Sequence, residues 1–427
     1  VHRLAVAGRE PEIARDAGRR VAGVWLSRSR FADVASMAQA TLALGPDASA
    51  LHHLGWALSS TGSPRQALDC YMQALPIWRE VCDRAGEAAT LSNIGMVYNG
   101  LGDRRQALAY YGQALPIMRE VRDQDGEAAT LSNIGAAYAG LGDRRQALAY
   151  FEQSLPILRE VCDRAGEATT LSNMGLVYDG LGDRRQALAY YEQALPIRRE
   201  VGDRAGEATT LNNIGGVYVG LGDRRQALAY YEQALPIRRE VGDRAGEATT
   251  LNNIGLAYNG LGDRRQALAY YEQSLPITRE VGNRAGEATT LSNIGAVYNG
   301  LGDLRQALTY FEQSLPITRE VGDRAGEATT LNNIGMAYDG LGDRRQALAY
   351  YEQALPIRRE VGDRAGEAVT RFNIAMIHWA GGNLDQAVSE LEIVVELDRQ
   401  VEHPDLTADT ATLEQLRSER AQHLDET

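Results

Sequence analysis

The chain has 427 residues, 44% of them hydrophobic, a net charge of −13, and no apolar run long enough to span a bilayer, which excludes a membrane-spanning helix. Every basic residue is arginine; without lysine there is no P-loop, Schiff-base or kinase-type lysine, so those chemistries are excluded as well. The arginine, alanine and glycine bias points to a GC-rich bacterial genome. The three cysteines (Cys70, Cys82, Cys162) lack CxxC spacing and fit a reduced, cytoplasmic compartment. The chain opens at Val1 with no tripartite signal, which marks either an alternative start codon or a piece of something longer.

Residues 1–47 read as a degenerate helical cap: a divergent, shorter pair runs from about Glu12 to Asp47, with Pro46 near its end. From residue 48 to 403 the chain repeats itself every 40 residues, with units starting near 48, 88, 128, 168, 208, 248, 288, 328 and 368. The unit from Ala48 keeps Gly55, Gly62 and Ala67 but has His53 where later copies have asparagine. Gly-Asp-Arg-Arg-Gln-Ala-Leu then begins at Gly102, Gly142, Gly182, Gly222, Gly262 and Gly342, and Gly302 opens a copy with Leu304 for the first arginine.

One copy shows why the unit is a helix pair. Leu211, Ile214, Gly215, Tyr218 and Leu221 fall at helical spacing and form an apolar stripe. Gly222 supplies the left-handed stop and Asp223 caps the next helix, with Gln226 three residues on. Ala227, Leu228, Tyr231, Ala234 and Leu235 form the second helix's apolar face. Gly215 and Ala227 allow close approach, and the tyrosines fill the wider gaps. Pro236 lies inside the second helix, where the lost hydrogen bond costs about 3 kcal/mol in isolation. Its recurrence from Pro76 to Pro356 is no accident of one site: it is expected either to set the bend of each second helix or to mark where that helix weakens. The last unit, from Ala368, carries His378 in the tyrosine phase and Val394 where alanine normally sits. After Pro404 a polar helix (404–427) closes the chain; Leu384–Thr427 carries 12 acids against Arg399, Arg417 and Arg420, a net −9. The array itself is near neutral, with no basic stripe, so neither nucleic acid nor membrane is an expected partner.

The recurring Gly, aromatic, Gly-Asp, Ala, aromatic, Ala pattern resembles the tetratricopeptide repeat in its 40-residue form. It is most similar to the arrays of kinesin light chains and Pins-type adaptors, and to those attached to bacterial signalling NTPases. The resemblance implies an all-α fold: a right-handed superhelical α-α solenoid of about ten helix pairs with a C-terminal capping helix. It also implies a non-enzymatic scaffold that holds a protein or peptide in its concave groove, with no cofactor. The alternative is the sensor arm of a signalling NTPase or transcription regulator.

No HExxH, GxSxG or GxGxxG motif and no metal-spaced Cys/His cluster is present; His52 and His53 point roughly 100° apart on a helix and make no metal pair. The candidate binding residues are the asparagines in one phase: Asn93, Asn133, Asn173, Asn213, Asn253, Asn293, Asn333 and Asn373. In the family resembled, such asparagines line the groove and bind the backbone of an extended peptide. A primary amide offers the donor and the acceptor that a peptide group needs. The competing expectation is that each bonds to a neighbouring helix or faces water. Three residues on lie Met96, Ala136, Leu176, Gly216, Leu256, Ala296, Met336 and Met376, on the same helical face. Met336, Met376, Phe372 and Trp379 form an apolar cluster that would either anchor a partner's side chains or cover the core under the final cap. The Arg-Arg pairs, such as Arg198 and Arg199, read as solvated faces laced by ion pairs.

Overall fold

A computed structural model describes residues 1–26 and 28–426. Among them every regular element is an α-helix, and the chain divides into two compact units, Val1–Asn213 and Ile214–Thr427. The first unit holds α1 (His2–Ala7), α2 (Pro11–Leu26), α3 (Phe31–Leu42), α4 (Ala48–Ser60), α5 (Pro64–Glu80), α6 (Arg84–Gly100), α7 (Arg104–Val121), α8 (Gln124–Gly140), α9 (Arg144–Glu160), α10 (Arg164–Gly180) and α11 (Arg184–Glu200). The boundary falls inside α12 (Arg204–Gly220). The second unit continues with α13 (Arg224–Glu240), α14 (Arg244–Gly260), α15 (Arg264–Glu280), α16 (Arg284–Leu301), α17 (Leu304–Glu320) and α18 (Arg324–Gly340). It ends with α19 (Arg344–Glu360), α20 (Arg364–Ala380), α21 (Leu384–Val401) and α22 (Leu406–Glu426).

The helix ends follow from local chemistry. Gly222 takes φ 83°, a left-handed turn that side chains resist, and Asp223 then accepts the Gln226 backbone N–H at 3.0 Å. Aspartates 83, 103, 123, 143, 163 and 183 cap their helices in the same way. The second helices run unbroken through Pro76, Pro116, Pro156, Pro236, Pro276, Pro316 and Pro356.

The core is built pair by pair. A Cβ on Gly215 would stand 2.5 Å from Tyr231 Cε1, so the glycine exists to admit that ring, which is 2% exposed. Gly95 and Tyr111, Gly135 and Phe151, and Gly255 and Tyr271 repeat the device. Two expectations change. Leu221 is not part of the buried stripe: α12 ends at Gly220 and the turn carries Leu221 into solvent. Tyr218 packs against the core only from its edge: it is half-buried and stacks on Tyr230, rings 5.5 Å apart at 11°.

From α4 onward, even-numbered helices are the first and odd-numbered helices the second of each pair. Within the first unit α4, α6, α8 and α10 pack on one another in succession, as do α14, α16, α18 and α20 within the second. The second helices of consecutive pairs do not pack along one another among the described residues; their approach is of the kind Tyr110 Oη makes to Met72 Sδ, 3.8 Å. Each unit therefore curves with its first helices on the inside.

Candidate binding face of the first helices

The first helices meet through a polar seam. Thr90, Thr130, Thr170, Thr290, Thr330 and Thr370 are all buried. Thr90 and Thr290 each donate to the carbonyl four residues back (Gly86 and Gly286, 2.8 Å). Each seam threonine also meets a polar residue of the preceding first helix. His52 Nδ1 lies 2.8 Å from Thr90 Oγ1, Ser92 Oγ 3.0 Å from Thr130 Oγ1, and Ser132 Oγ 2.8 Å from Thr170 Oγ1. Thr290 and Thr370 Oγ1 lie 3.4 and 3.1 Å from Asn252 Oδ1 and Asn332 Oδ1, sharing with them the hydroxyl hydrogen they direct to the Gly286 and Gly366 carbonyls. This partner position, one residue before the asparagine phase, was missed in the sequence. Its signal was there: it is polar in the copies from His52 to Asn332.

The eight asparagines, Asn93 to Asn373, are half-buried beside this seam, on α6, α8, α10, α12, α14, α16, α18 and α20. Three lend an amide proton to the preceding helix: Asn93 Nδ2 lies 3.2 Å from His52 Nε2, Asn293 donates to Asn252 Oδ1 at 3.3 Å, and Asn373 to Asn332 Oδ1 at 3.4 Å. Asn213 bonds the Tyr191 hydroxyl, whose titration burial pushes far upward. Asn133, Asn173 and Asn333 make no side-chain hydrogen bond among the described residues. The row is thus anchored from behind at some positions and not at others.

Three residues on, the side chains alternate in size from Met96 to Met336. Met96, Leu176, Leu256 and Met336 are 45%, 56%, 44% and 40% exposed, with Ala136, Gly216 and Ala296 between them in sequence. Met336 Sδ also receives Asn332 Nδ2 at 3.5 Å. Phe372, Met376 and Trp379 differ from Met336. They are half-buried against a core that includes Leu391, Val395, Leu413 and Leu416, and Trp379 Nε1 donates to Glu419 Oε2 at 2.8 Å. They sit under α22.

The buried acids of the first helices are held by arginines. Glu247 is 5% exposed and is held by Arg239 (2.7 Å) and Arg244 (2.5 Å); Glu287 and Glu327 repeat this. At Glu87 burial pushes the carboxyl up, but hydrogen bonds and charge from Arg79 and Arg84 outweigh it and hold the group below the usual glutamate range. The solvated reading of the Arg-Arg pairs holds for Arg199, 50% exposed, but not for Arg198. Arg198, Arg238 and Arg358 lie almost buried over Gly206, Gly246 and Gly366 and pair with Asp203, Asp243 and Asp363. Among the described residues no cluster of three His, Cys, Asp or Glu side chains is placed to hold a metal ion, and no helix is long and apolar enough to cross a membrane.

The sequence profile of the tetratricopeptide repeat matches residues 46–120, 86–160, 126–200, 206–280, 286–360 and 346–400. The chain belongs to the tetratricopeptide repeat family. Among solved structures, this repeat array is similar to a signal transduction ATPase with numerous domains from Pyrococcus horikoshii that carries a tetratricopeptide repeat sensor. There the identity is 16% and the TM-score 0.67, over 83% of this chain and 55% of that one. It is also similar to the apo quorum sensor NprR from B. thuringiensis, 15% identical with TM-score 0.60, over 80% and 98% of the two chains. A third likeness is to a Rap protein complexed with competence and sporulation factor, 16% identical with TM-score 0.56, over 82% and 98%. At these identities the likeness is one of fold. A comparison with curated protein sequences finds no match.

Proposed function

We propose that the chain is a non-enzymatic scaffold that holds an extended segment of a partner polypeptide along the inner, first-helix face. Tetratricopeptide arrays are generally protein-interaction modules. The observation that carries the finer reading is the row of half-buried asparagines on helices that each unit turns inward. An extended peptide exposes an N–H and a C=O at every residue, and a periodic row of primary amides satisfies both without reading side chains. Side-chain selection then falls to the exposed positions beside the row, Met96, Leu176, Leu256 and Met336. Because Phe372, Met376 and Trp379 lie under α22, they act on a partner only if that helix moves, and they are secondary to the asparagines.

The test is a random-peptide display library panned on the intact chain and on the variant Asn213→Ala/Asn253→Ala/Asn293→Ala. The expected result is unchanged helicity by circular dichroism and loss of the peptides selected by the intact chain. Retained affinity in the variant refutes the asparagine row.

A second reading, a sensor arm, is supported by the sensor role stated for the array of the P. horikoshii ATPase. It uses the same face, coupled to an effector domain. An in-frame nucleotide-binding domain in the DNA upstream of Val1 supports it, and an isolated reading frame counts against it.

A further inference from the structure

Within the second unit, one inter-pair space is open where its sister is filled. Arg238 lies across Gly246, where a glycine Cβ would stand 2.7 Å from its Nε, and pairs with Asp243 at 2.5 Å. One repeat later both members of that ion pair are gone: Thr278 stands for the arginine and Asn283 for the aspartate. The three atoms nearest a Cβ on Gly286 all belong to its own cap, Asn283, and no side chain of α15 takes the place of Arg238 among them. The result is a cavity of about 190 Å³ between α14, α15 and α16. The next copy repeats Ser314 and Thr318 but keeps Asp323, so the loss of both charges is specific to this one.

We propose that this cavity seats a neutral primary-amide side chain, glutamine or asparagine, of the polypeptide bound along the first-helix face. The proposal rests on that reading of the face. Thr249 and Thr289, which line the mouth, lie four residues before Asn253 and Asn293 on the same helices, so the cavity opens beside the asparagine row.

The lining dictates the guest. No ionisable group lines the cavity, so a charged side chain would be buried without a counter-charge. The hydroxyl hydrogens are already committed. Thr249 and Thr289 donate to Ala245 O and Ala285 O at 3.0 Å, and Ser274 and Thr278 to Ala248 O and Leu275 O at 2.8 Å. Their oxygens are left as acceptors. The two amides are committed the other way: Asn252 Oδ1 accepts from Asn293 and Asn283 Oδ1 from the Gly286 N–H, leaving both Nδ2 groups as donors. A guest must therefore bring donors and an acceptor on one neutral group, as a primary amide does. An aliphatic guest would leave these groups dry and unpaired.

The test uses the full chain with labelled threonine methyls, titrated with N-acetylglutamine N-methylamide. The expected result is a saturable shift of the Thr249, Thr278 and Thr289 methyls that the glutamate, arginine and leucine analogues do not produce. The variant Thr278→Arg/Asn283→Asp rebuilds the ion pair that positions 238 and 243 already carry, so the fold accepts it. Judged by Thr249 and Thr289, it should bind the glutamine probe at least about tenfold more weakly. Equal shifts with a charged or leucine analogue, undiminished binding by the variant, or no saturable shift each overturn the proposal. This readout does not use the asparagine row. Amide binding in the cavity with peptide binding unharmed by the triple alanine variant sinks the face reading alone; the reverse pattern sinks the cavity alone.

Discussion

Gly215 and Gly216 are neighbours on α12, yet alanine at each should move stability in opposite directions. An alanine Cβ at 215 would stand 2.5, 2.7 and 2.9 Å from Cε1, Cδ1 and Cζ of Tyr231, well inside van der Waals contact. The ring is 2% exposed and has no room to retreat, so overpacking costs about 1–3 kcal/mol. Removing a helical glycine returns about 1 kcal/mol. The net for Gly215→Ala is a loss of up to about 2 kcal/mol. At Gly216 the nearest atom, Tyr231 Oη, is 3.9 Å from the new Cβ, so only the propensity gain remains, about 1 kcal/mol. Urea denaturation followed by far-UV circular dichroism, with both variants measured against the parent, should give midpoints on opposite sides of it. Both substitutions fall in one helix pair, so coupling along the array affects them alike. In a Tyr231→Leu background the Gly215→Ala penalty should shrink. If Gly215→Ala stabilises as much as Gly216→Ala, close packing of the ring on the glycine is not what selects that residue.

Two further outcomes follow from single side chains. Burial, reinforced by the charge of His53, pushes His52 from 6.5 down to about 3, so the folded chain keeps it neutral while the unfolded chain protonates it. Its share of stability is whole above pH 6.5 and is lost as pH falls from there toward 3; His52→Ser, which adopts the residue of the next copy, should flatten that part of the stability profile, and an unchanged profile refutes the assignment. Trp379→Ala removes a side chain that packs under α22 and bonds Glu419, and should cost about 2–3 kcal/mol and strip amide-exchange protection from α22 before the rest of the second unit. Unchanged protection in α22 would mean the tryptophan is not part of the cap.

The repeat period, the Gly222 turn, the Asp223 cap and the apolar face from Ala227 to Leu235 were all legible in the sequence. Each depends on residues a few positions apart, where backbone sterics, capping and helical periodicity act without help from the rest of the chain. Gly215 was legible as a point of close approach, although its partner Tyr231 had to be seen. What tertiary structure decided involves residues nearly a repeat apart. Packing of α14 on α16 and of α6 on α8 put the first helices on the inner side, which periodicity alone cannot distinguish from the outer. The seam from His52 to Thr90 and from Asn252 to Thr290 arises where polar groups on successive helices must satisfy one another once water is excluded. Burial of Arg198 over Gly206, the open space at Thr278, and Phe372 and Trp379 under α22 have the same origin. A side chain's environment is set by the helix stacked against it, and each copy's few substitutions change that environment while leaving the local helical pattern intact.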